Sequence, residues 1–166
     1  AGNVLPTDAS WEGSTCDYHT VIKDGDTYRM YYRGTSHDGY EIESLMKPGE
    51  TKIPVHVDLT SYAESRDGIT WTRPSLGIVE YEGSKDNSIV WIEPGTDMVP
   101  FLDGNPEAKP DERYKAIVRE RVNDKEALMA LASGDGVHWR KMQEAPILDA
   151  PPFDTQNVPF WDPWRA

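Results

Sequence analysis

The sequence predicts an all-β chain, part of a β-propeller with blades of four antiparallel strands. Three observations carry that expectation. The 166 residues hold 13 Gly and 13 Pro spread along the chain, which favours many turns over long helices. Short aromatic segments are closed by Asp-Gly dipeptides, a strong hairpin signal. A box repeats: Ser65-Arg66-Asp67-Gly68-Ile69-Thr70-Trp71 returns 68 residues on as Ser133-Gly134-Asp135-Gly136-Val137-His138-Trp139.

The elements follow in order. Residues 20–24 and 27–33 read as a hairpin around Asp24-Gly25-Asp26, its second strand being the aromatic run Tyr28–Arg33. Ser61 to Ser65 reads as a strand that turns at Asp67-Gly68 and continues through Trp71. Leu76 to Tyr81 and Ser88 to Ile92 read as further strands. Glu126–Ala132 has the Ala and Leu content of a helix, but the repeat places a strand there.

Two more echoes support the repeat. Tyr28-Arg29 with Arg33 returns as Tyr114-Lys115 with Arg119, and Val99-Pro100-Phe101-Leu102-Asp103 returns as Val158-Pro159-Phe160-Trp161-Asp162. The expected units are residues 1–92, 93–150 and the start of a third at 151–166. Propellers close with about four to eight blades, and 166 residues hold fewer than three units of 68. A fragment of a larger ring is therefore expected. Self-association of copies through open blade edges and a β-sandwich are the alternatives.

The charge balance narrows the partners. Lys and Arg number 17 against 29 Asp and Glu, a net charge of -12. Nucleic acid and anionic membranes need a positive surface, so neither is an expected partner. Cys16 is the single cysteine, which excludes an internal disulfide and a cysteine-based zinc site. No metal and no cofactor are expected. The compartment stays open, with an extracellular or periplasmic setting favoured.

Asp17 through Tyr32 resembles the first-blade hairpin of five-bladed β-propeller glycosidases, those of the arabinanase/β-xylosidase and invertase type. The Ser-x-Asp-Gly boxes resemble the inter-strand turns of such propellers. Phe153 to Pro163 resembles the first strand of a later blade. Over essentially its whole length the chain resembles the family-32-like N-terminal domain of glycosyl hydrolases. The resemblance implies a partial five-bladed propeller, a funnel-shaped site lined by the starts of the innermost strands, and a carbohydrate substrate, poly- or oligosaccharide. It implies three carboxylates: a base or nucleophile, an Asp that tunes the acid, and a general acid. Glycosidic cleavage needs one carboxyl to protonate the leaving oxygen and another to activate water or attack the sugar.

On that resemblance Asp17 is the candidate base or nucleophile and Asp154 the second carboxylate. They precede Asp24 and Asp162 by seven and eight residues. His19, two residues from Asp17 on the same expected strand face, is a candidate sugar ligand, with Gln156, Asn157 and Trp161. Asp162 precedes a proline and aligns with Asp24 and Asp103, so it is expected in a turn. Arg33 and Arg119 end equivalent strands and are expected to pair one blade with the next. Trp71 and Trp139 are expected in packing. The general acid is expected beyond residue 166. A non-catalytic carbohydrate- or protein-binding propeller is the competing reading.

Overall fold

A computed structural model describes residues 5–13, 15–35, 58–92, 95–149, 153 and 156–165. These form two four-stranded antiparallel sheets. The first is ordered β1 (Thr15–Asp24), β2 (Thr27–Thr35), β3 (Leu59–Ser65), β4 (Ile89–Ile92). The second is ordered β5 (Thr96–Leu102), β6 (Tyr114–Val122), β7 (Lys125–Ser133), β8 (Arg140–Lys141). Among the described residues the only helical turn is the 3-10 turn Pro110–Glu112. Each sheet is a meander, with sequence neighbours as sheet neighbours.

The hairpin turns follow local chemistry. Asp24 faces Thr27 across a two-residue loop whose Gly25 has φ 58, a value that costs glycine little. Val122 faces Lys125 across Asn123 (φ 51) and Asp124 (φ 62), the residue types that tolerate a type I′ turn. The equivalent connection in the first sheet, from β2 to β3, instead spans residues 36–58.

The two Asp-Gly boxes form the same turn. Ser65 Oγ accepts from the Asp67 and Gly68 N–H groups at 3.2 and 2.9 Å; Ser133 Oγ accepts from those of Asp135 and Gly136 at 3.3 and 2.9 Å. Asp67 Oδ1 caps Ile69 and Thr70, and Asp135 Oδ1 caps Val137 and His138, all within 2.7–2.8 Å. The Thr70 and Ile69 N–H bonds hold the Asp67 carboxyl well below the usual carboxylate range.

The core lies between the sheets. Ile22, Tyr31, Tyr62, Val90 and Tyr114 cluster with Leu102, Val137 and Trp139 packed against them. Fully burying one large apolar side chain contributes about 1.5–3 kcal/mol. The Tyr31 ring meets Tyr62 at 5.4 Å and Trp139 at 6.2 Å, both edge-on. Its hydroxyl donates to the Gly136 carbonyl at 2.8 Å, which ties the second box to the first sheet. On the other face of the first sheet, Met30, Tyr32 and Ala63 pack with Leu5, Cys16 and Trp71.

Two expectations are corrected and a third is borne out. Leu76–Tyr81 is not a strand. Pro74 lacks an N–H for a ladder, and the Asn87 side-chain amide instead donates to the Val79 and Ser84 carbonyls, holding a loop. The segment through Trp71 is no strand either, since only Thr72 bridges Glu64; the fourth place in that sheet belongs to β4. Glu126–Ala132 lies within β7, as the repeat demanded over the helical composition.

Candidate functional site

A bulge in each sheet's first strand shapes one end of the molecule. The β1–β2 register slips between Asp17 and Thr20, with Tyr18 at φ 54. The β5–β6 register slips between Thr96 and Val99, with Asp97 at φ 55. Asp17 lies opposite Arg33 and Thr96 opposite Arg119, so Tyr18 and Asp97 occupy equivalent places. Bulges of this kind re-aim side chains.

The re-aimed groups meet on two guanidiniums. Arg33 reaches Asp17 at 3.0 Å, Asp97 at 2.7 Å and Asp58 at 4.0 Å. The Tyr18 ring lies 4.5 Å from its guanidinium carbon. Arg119 grips the other Asp97 oxygen through Nη2 (3.0 Å) and Nε (3.1 Å), and reaches Glu126 at 3.2 Å. The Thr96 hydroxyl lies within 3.2 Å of Asp58 and 3.3 Å of Asp97. The Asp97 side chain is 1% exposed, against 38% for Asp17 and 32% for Asp58. Burial works against the charge on Arg33; the Asp97 charge, then Asp17 and Asp58, more than offset it and hold the guanidinium above its ordinary value.

Beside this network opens a cavity of about 580 Å³, lined by Asp58, Gly95, Thr96, Arg119, Glu120, Arg121 and Glu126. Small-molecule sites fall in this size range. Gly95 has φ 103, and a Cβ there would sit 2.9 Å from Val118 Cγ2, so the strand entry needs glycine. Among the described residues no three His, Cys, Asp or Glu side chains group as a metal ion would require.

The expected site residues separate. Asp17 stands in the network. Asp154 lies outside the described residues. His19 does not share the face of Asp17: Asp17 pairs with Arg33, whereas His19 stacks on the adjacent Tyr32 at 5.6 Å. Adjacent strand side chains alternate between faces, and the bulge at Tyr18 breaks the two-residue periodicity on which the expectation rested. Gln156 reaches the bulge, donating to Thr20 Oγ1 at 3.0 Å and to the Tyr18 carbonyl at 3.4 Å. Asn157 is half-buried. Trp161 is half-buried against Gly104, where a Cβ would meet its ring at 2.9 Å. Asp162 forms a turn, its carboxylate accepting the Trp164 N–H at 2.9 Å.

Asp97, Asp58 and the Arg119–Glu126 pair are absent from the sequence-derived set. One signal pointed to Asp97. Counting six residues back from the aligned Asp24, Asp103 and Asp162 lands on Tyr18, Asp97 and Gln156. All three meet at the bulge of β1 or the guanidinium beside it.

No protein-family model, no curated protein and no solved structure matches this chain.

Proposed function

We propose that the two sheets are consecutive blades of a β-propeller, and that the end carrying Asp17 binds a poly- or oligosaccharide and takes part in its hydrolysis. The arrangement of Asp17, Arg33 and Asp97 carries this reading. One guanidinium bridges the two carboxylates and so holds Asp17, the exposed one, in a fixed place. Asp17 is exposed enough to reach a ligand, and Asp97 is buried enough to fix the arginine. Asp17 then acts as base or nucleophile. Asp58 and Glu126 line the cavity and accept from sugar hydroxyls.

The non-catalytic binding module has its own support. Asp17, Asp58 and Asp97 all lie against Arg33, and an ion-paired polar cluster of this kind can bind hydroxyl groups without cleaving any bond.

The test is release of reducing ends from arabinan, xylan and fructan oligosaccharides, read beside calorimetric binding, for the wild type and Asp17→Asn. Hydrolysis that falls by orders of magnitude in the variant, with binding kept, supports the enzyme. Binding without hydrolysis in both proteins supports the module. Neither binding nor hydrolysis of any of the three sinks both readings.

A further inference from the structure

The junction between the two sheets is built once in this chain, and each of its halves occurs a second time. On the donating side, Arg29 and Tyr31 of β2 reach the Asp135 and Gly136 carbonyls at 2.9 and 2.8 Å. Asp24 beside them is bound by Arg113 and the Tyr114 hydroxyl. On the receiving side, Val137 of the second box packs among Tyr31, Tyr62 and Tyr114.

The first sheet carries a second receiving half. Tyr28, Asp67, Gly68 and Ile69 stand where the second sheet has Tyr114, Asp135, Gly136 and Val137. The turn has the same hydrogen bonds, yet Ile69 is 68% exposed. Among the described residues no donor reaches the Asp67 or Gly68 carbonyl. The second sheet carries a second donating half. Asp103, Lys115 and Ile117 stand where the first has Asp24, Arg29 and Tyr31. Lys115 pairs with Asp103 at 2.6 Å, as Arg29 pairs with Asp24 at 3.7 Å. Ile117 and its cross-strand partner Ala130 are only half-buried.

We propose that a second copy of this chain docks head to tail, setting its Tyr28–Asp67–Ile69 surface on the Lys115–Ile117–Ala130 surface of the first. The Lys115 ammonium then donates to the Asp67 carbonyl. Ile69 covers Ile117 and Ala130, as Val137 covers Tyr31 and Tyr62 within one chain. The contact joins two different patches, so copies add in one direction into a ring or a fibre. The inference rests on the repeated junction and is independent of any carbohydrate.

Sedimentation equilibrium over about two decades of concentration tests it. The wild-type mass is expected to rise with concentration. Ile69→Lys and Ile117→Lys are each expected to weaken association by at least about tenfold. An equimolar mixture of the two is expected to form a one-to-one complex, because each variant keeps the half that the other has lost. Should Ile117→Lys unfold by circular dichroism, Ile117→Thr replaces it. A wild type that stays monomeric, variants that associate like the wild type, or a mixture that stays apart overturns the proposal.

Discussion

Arg33 of the first sheet donates to Asp97 of the second at 2.7 Å, and that bond locks together the bulged ends of the two repeats. It is the pairing between repeats expected of Arg33, whereas Arg119, for which the same was expected, pairs within its own sheet. Asp97 also takes Arg119 on its other oxygen, so one buried carboxylate serves both sheets. Removing one partner of a buried ion pair leaves uncompensated charge. Asp97→Ala is expected to cost about 3–5 kcal/mol in urea unfolding. A loss below about 1 kcal/mol would place the pair among ordinary surface contacts.

Gly136 and Gly68 hold the same turn but face different neighbours. Both have positive φ, 78 and 74. A Cβ at Gly136 would lie 2.7 Å from the Tyr31 hydroxyl; at Gly68 its nearest contact is 3.7 Å away. Gly68→Ala is expected to cost about 1–2 kcal/mol from backbone strain alone. Gly136→Ala should exceed that by a further 1–3 kcal/mol or so from overpacking. Equal melting temperatures for the two variants would contradict the difference.

Asp24 ties the sheets at the opposite end. The Arg113 hydrogen bond, with help from Tyr114 and against burial, holds its carboxyl down at about 2 from an ordinary 3.8. A carboxyl lowered by folding stabilises the native state above its unfolded value and loses that contribution as pH falls through the folded one. Stability from this group is therefore expected to be complete above about pH 4 and to drain away toward pH 2. Chemical denaturation across that window should show a shallower acid loss in Asp24→Asn than in the wild type. Parallel curves would remove Asp24 from the acid response.

Cys16 packs under the Leu5 and Trp71 side of the first sheet. Burial, then the charges of Glu12 and Asp17, push its thiol up to about 12, with Arg73 opposing. The thiolate is the reactive form. Native protein at pH 8 is expected to react with a disulfide reagent orders of magnitude more slowly than protein in urea. Similar rates would mean that the segment over Cys16 opens readily.

The ladders were legible because their signals are local. Tyr28–Arg33 is an aromatic run, Asp-Gly marks the turns, and Ser65 and Ser133 each repeat a box whose hydrogen bonds are internal. β7 was legible only through the repeat, since Ala and Leu alone describe a helix. The network was harder to read. A register slip at Tyr18 reverses the face of His19 relative to Asp17, and period-two counting cannot register it. Asp58 lies 25 residues past Arg33 in the chain and meets it only because β3 returns beside β2. Asp97 carries no motif of its own, and its meaning lies in which strand follows it.

The unequal connections have a consequence for how such a molecule can diversify. The link between β2 and β3 leaves just after Arg33 and returns at Asp58, so both of its roots stand in the charged network. Its counterpart in the second sheet is two residues long. Doubling a loop costs only about 0.6 kcal/mol of closure entropy. Insertions and deletions there leave the length of every ladder, bulge and box unchanged. The length of that link and the pairing of the strands are thereby set in separate stretches of chain, and the first is free to drift without disturbing the second.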